Sequence, residues 1–123
     1  MGDVYAHEGV DEIEVRLATL DGYGFSNVGF IKIDVEGSEM DVIAGAGKTI
    51  CRARPNMLIE LLAGIYGDVL ARIEAIKTTF GYDAWIVIGR EKVDANLVLS
   101  EPAIARKTSN VLFTPKQTSG PRA

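Results

Sequence analysis

The residues with the most chemical potential are gathered in Ile31-Lys32-Ile33-Asp34-Val35-Glu36-Gly37-Ser38-Glu39. A short apolar run ends near Asp34, and a helix is expected to start near Ser38. Asp41, three residues on, fits a capping box, and Glu39 falls in the favourable first turn. Asp34 and Glu36 then lie at the C-terminal edge of a strand, where open α/β sheets bind ligands. Glu60, near the end of the next expected strand, emerges on the same edge. Carboxylates gathered in this way raise one another's pKa, so one of them can serve as a general base. The same oxygens also suit a hard divalent cation. Each residue has a structural use as well. Glu39 can complement the helix dipole, Glu36 can accept turn N–H groups, Asp34 can pair with Lys32, and Glu60 can join an ion pair.

The elements that must position this cluster follow from hydropathy period. Glu12 to Leu20 alternates, with Ile13, Val15 and Leu17 on one face, as a half-exposed strand does. Asp21 to Gly29 is glycine-rich and reads as a loop. Phe30 to Val35 is apolar on both faces and suits an inner strand of a largely parallel sheet. Met40, Ile43, Gly47 and Ile50 share a helix face, and Pro55 stops that helix. Met57 to Leu62 is the next strand, completing a βαβ unit. A further helix spans Asp68 to Phe80, with Val69, Ile73, Ile76 and Phe80 on one stripe and Gly81 closing it. Tyr82 to Ile88 is a strand, Gly89 to Lys92 a turn, and Leu97 to Ser100 and Val111 to Thr114 are short strands. Residues 116–123 are polar and read as a loose tail. The expected architecture is α/β: a parallel βαβ core, a partial Rossmann-like sheet, with antiparallel strands at the C-terminal end.

Two glycine-rich stretches imitate cofactor loops. Gly45-Ala46-Gly47-Lys48-Thr49 has Val42 where a phosphate-binding loop needs its first glycine, and it is expected near a helix C-terminus, which repels phosphate. Asp21-Gly22-Tyr23-Gly24 leaves no room for a helix before the next strand and reads as a turn.

Composition sets the outer bounds. The 123 residues fit one domain, able to bury about two thirds of its unfolded surface. A net charge of -4 argues against a nucleic-acid footprint. No apolar run approaches the ~20 residues of a membrane span, and the N-terminus lacks the layout of a signal peptide. A cytoplasmic location is the expectation. Cys51 is alone, which rules out an intrachain disulfide, and it is expected as a small buried hydrophobe. His7 reads as a surface histidine.

The cluster also resembles a known family. Ile31 to Glu39, Val42-Ile43, Gly45-Ala46, Arg54-Pro55 and Ile59-Glu60 are similar to the signature of FkbM-type S-adenosylmethionine (SAM) methyltransferases. Thr19-Leu20-Asp21 and Asn110 to Pro115 match as well, so the resemblance runs from Val15 to Pro115. It implies methyl transfer from SAM to an oxygen of a sugar or polyketide-like molecule, on a seven-stranded sheet in which Phe30 to Val35 is the fourth strand and Met57 to Leu62 the fifth. Asp34 or Glu36 would act as base or metal ligand, and Glu60 would orient substrate or metal. The family's upstream Asp-x-Gly motif and ribose-binding acid are not in the sequence. Residues 1–115 are therefore expected to be the C-terminal part of a methyltransferase domain, inactive and unable to hold SAM alone. The alternative is a non-catalytic assembly module that pairs with a SAM-binding chain or with itself. In either case the Phe30 to Val35 edge needs cover, from the Glu12 to Leu20 strand or from a second copy in a homodimer.

Overall fold

The computed structural model describes residues 9, 11–61, 68–100 and 110–117. Its centre is a five-stranded sheet in the order β1-β2-β5-β3-β4. β1 (Phe30–Ile33) and β2 (Asn56–Glu60) run parallel, with Ile31 beside Met57 and Ile33 beside Ile59. β5 (Asn110–Pro115) inserts antiparallel between β2 and β3 (Tyr82–Ile88), and β4 (Glu91–Asp94) closes a hairpin with β3. This is the mixed α/β sheet expected, with a parallel pair first and antiparallel pairing toward the C-terminus.

The strand residues alternate as a sheet with one covered face must. Ile33, Met57, Ile59, Val111, Phe113, Tyr82, Ala84 and Ile86 are buried, in one cluster with Ile43, Ile50, Ile73 and Ile76 of the helices. On the other face Lys32, Leu58, Leu112 and Trp85 form a cross-strand row, exposed at Lys32 and half-buried over the rest. Trp85 Nε1 donates to Thr114 Oγ1 at 2.8 Å, and Lys92 Nζ lies 4.5 Å from the centre of the indole ring.

α3 (Val69–Phe80) is a locally specified helix. Asp68 caps it, its carboxylate accepting from Leu70 N–H at 2.9 Å. Ile73 and Ile76 are buried, and Gly81 ends it at φ 71°, a conformation that favours glycine. The Arg54 guanidinium reaches the same end, donating to the Phe80 and Gly81 carbonyls and stacking 4.9 Å from the Tyr82 ring centre. Tyr82 in turn donates its hydroxyl to the Pro55 carbonyl at 2.7 Å. Burial pushes the Tyr82 hydroxyl pKa up, against the pull of the Arg54 charge.

Several expectations are corrected. The helix after β1 is two helices, α1 (Glu39–Ala44) and α2 (Gly47–Ala53). The break falls at Gly45, where an added Cβ would stand 3.1 Å from the Thr19 methyl group. Gly47 therefore opens a helix rather than lying near the end of one. The N–H groups of Lys48 and Thr49 are taken by the protein's own Asp21 carboxylate, at 3.0 and 2.8 Å. Leu97 to Ser100 is not a strand. It belongs to α4 (Ala95–Leu99), capped by Asp94 and burying Ala95 and Val98 three residues apart. Cys51 is exposed, because α2 turns Thr49 and Ile50 inward and Cys51 outward.

Glu12 to Leu20 forms no strand either: residues 11–19 carry no regular structure and are exposed throughout. Their alternation supplies an apolar face, but no described strand lies against it, so the segment does not cover the β1 edge. Leu62, His7 and residues 118–123 lie outside the described residues.

Candidate functional site

β1 and β2 end together. Ile33 lies beside Ile59, so Asp34 and Glu60 follow at the same end of the parallel pair. Asp34 and Glu36 are exposed and Glu60 is half-buried. Between β1 and α1 the chain turns through Glu36 at φ 44° and Gly37 at φ 102°. A left-handed conformation at Glu36 carries steric cost, and Gly37 adopts an angle that side chains avoid. This tight turn places two carboxylates within three residues at the strand end.

The turn is held by Glu39, whose part sequence reasoning understated. Glu39 is 1% exposed, a depth at which an unpaired carboxylate would be strongly penalised. Its Oε2 accepts the Gly37 N–H at 2.8 Å, and its Oε1 pairs with Arg72 Nη1 of α3 at 2.5 Å. Glu39 is thus a clamp between the Asp34–Ser38 turn and α3, more than a partner for the helix dipole. Ser38 makes no side-chain cap, so the expected capping box with Asp41 does not form. The signal that could have found the clamp was Arg72, a charged residue beside the α3 apolar stripe.

Asp21 anchors the neighbouring corner. Beyond the Lys48 and Thr49 N–H groups, it accepts the Thr49 hydroxyl at 2.8 Å, and its own N–H donates to the Gly45 carbonyl at 2.9 Å. Partial desolvation pushes its pKa up. The bonds from Thr49 and Lys48, with the Lys48 charge, outweigh that and hold it below the usual carboxylate value. The Asp21-Gly22-Tyr23-Gly24 segment is a single 3-10 turn ending at Gly24 with φ 65°, as the turn reading expects. Its carboxylate is committed to α2, so it does not offer a cofactor cradle.

A cleft of about 640 Å³ lies between Leu17–Leu20 and α1, lined also by Ser38, Asp41, Val42 and Gly45. Asp34, Glu36 and Glu60 are not in its lining. Among the described residues no three His, Cys, Asp or Glu side chains converge closely enough to hold a metal ion. No described helix is long and apolar enough to cross a membrane.

Comparison with known proteins accounts for this motif. The family model described as the methyltransferase FkbM domain matches residues 2–84, which include β1, the clamped turn, α1, α2, β2 and α3. No curated protein and no solved structure matches. The resemblance of Asn110 to Pro115 lies beyond the matched residues, although those residues form β5 in the middle of the sheet. The match spans well over half of the chain, which therefore belongs to the FkbM methyltransferase family.

Proposed function

We propose that this chain supplies the acceptor side of a SAM-dependent O-methyltransferase and does not hold SAM by itself. The acceptor is a small-molecule hydroxyl, on a sugar or polyketide-like product. Asp34 or Glu36 takes the hydroxyl proton, and Glu60 orients the acceptor from the adjoining strand end. The observation that carries this reading is the shared strand end of Asp34 and Glu60, beside a turn clamped by Glu39. Exposed carboxylates on a fixed turn can reach a hydroxyl and accept its proton without rearranging the core. The Asp21 carboxylate, spent on α2, supports the second half of the proposal. In an intact family member with the same motif, Asp→Asn at the position of Asp34 is expected to cut methyl transfer ~100-fold. Unchanged turnover would remove Asp34 as the base.

A second reading is a non-catalytic assembly module. The observations that favour it are a β1 edge that no described strand covers and an exposed apolar segment at residues 11–19.

A further inference from the structure

Residues 11–19 and the β1 edge each carry a surface that globular proteins seldom leave open. Ile13, Val15 and Leu17 are 81%, 83% and 97% exposed. They alternate with Glu12, Glu14 and Arg16, a strand pattern that pairs with no described strand. β1 stands at the end of the sheet, with β2 on one side and no described strand on the other. A free ladder with Phe30 exposed beside it is a template for another strand.

The two surfaces complement each other in one register. Set parallel to β1, with Ile13 beside Ile31, the segment puts Glu14 beside Lys32, Val15 beside Ile33 and Arg16 beside Asp34. Both charged pairs are then of opposite sign. Ile13 and Val15 fall in line with Ile31 and Ile33, on the face that the helices cover. Sliding two residues either way places Arg16 beside Lys32 or Glu14 beside Asp34, which are like charges. The antiparallel arrangement that keeps Glu14 beside Lys32 sets Glu12 beside Asp34, again like charges. Opposite charges across a strand pair stabilise it and like charges oppose it.

We propose that residues 12–17 of one copy add as a parallel strand to the β1 edge of a second copy, and that the exchange is reciprocal. Within its own chain the segment is exposed and pairs with no described strand. It leaves the body at the α1–α2 corner, where the Asp21 bonds and the Thr19–Gly45 contact pin its base. A second copy offers the same edge, and a two-fold exchange consumes both segments and both edges at once. This interface is independent of the methyl-transfer reading.

Light scattering coupled to size exclusion, on the full chain from about 1 to 100 μM, tests it. The expected mass is twice the 13.3 kDa of one chain. Val15→Asp, which alters an exposed side chain, is expected to give a monomer that still unfolds cooperatively, at a melting temperature lowered only by the loss of the dimer. Glu14→Lys and Lys32→Glu should each weaken the dimer about tenfold, and the double exchange E14K/K32E should restore it. A wild-type monomer throughout the range overturns the proposal. So does a dimer that is indifferent to Val15→Asp, or one that the double exchange fails to rescue.

Discussion

At the centre of the sheet, β5 is paired on both sides, and its inward residues Val111 and Phe113 are buried. At the β1 end, a four-residue strand pairs with β2 alone among the described strands, Phe30 is 56% exposed, and Asp34 and Glu36 just beyond it are exposed. The centre is stable because ladders and burial act together. The β1 end has little of either, and its geometry depends on discrete side-chain clamps, Glu39 to Arg72 and Asp21 to Thr49. The proposed site is exposed, so its rigidity has to come from polar groups anchored on buried neighbours.

Five substitutions separate the two regimes. Glu39→Ala should have the largest effect, about 3–5 kcal/mol, because it breaks a mostly buried ion pair to Arg72 and removes the carboxylate that accepts the Gly37 N–H. Exchange of the Gly37 amide should speed up with it. A loss below about 1 kcal/mol in denaturant melts would show that the turn is held by other means. Ile73→Ala and Ile76→Ala should each cost about 2–5 kcal/mol, since both are buried in the α3 stripe. Lys77→Ala, which loses an exposed-end ion pair to Glu74 at 3.7 Å, should cost less than about 1 kcal/mol. Equal losses at all three positions would put the α3 phase in error. Asp21→Asn should have the smallest effect, and one that depends on pH. The folded pKa of Asp21 lies below its unfolded value, so its contribution is present above about pH 4 and lost as pH falls through the folded pKa. The stability gap between wild type and Asp21→Asn should therefore narrow in acid. A gap constant from neutral pH down to about pH 2 would contradict the anchoring role.

The sequence was readable where the determinants are local. α3 is announced by Asp68, by the Val69–Ile73–Ile76 spacing and by Gly81, all within fourteen positions of one another. β3 follows from its own alternation, and the shared end of Asp34 and Glu60 follows from a parallel βαβ unit. The reading failed where a distant contact decides. Apolar spacing runs on through Gly45 and Gly47, and only Asp21, 28 residues before Thr49, reveals that a new helix starts there. The pairing of Glu39 with Arg72 spans 33 residues. Leu97 to Leu99 resembles a strand by composition, yet the Asp94 cap turns it into a helix. The alternation of Glu12 to Leu20 fixes a face and not the partner for that face.

The central proposal is that this chain carries the acceptor edge of a methyltransferase and does not hold SAM by itself. Calorimetric titration of the purified chain with SAM tests it most directly. The account predicts no saturable heat at micromolar ligand; a dissociation constant in the micromolar range or tighter would contradict it.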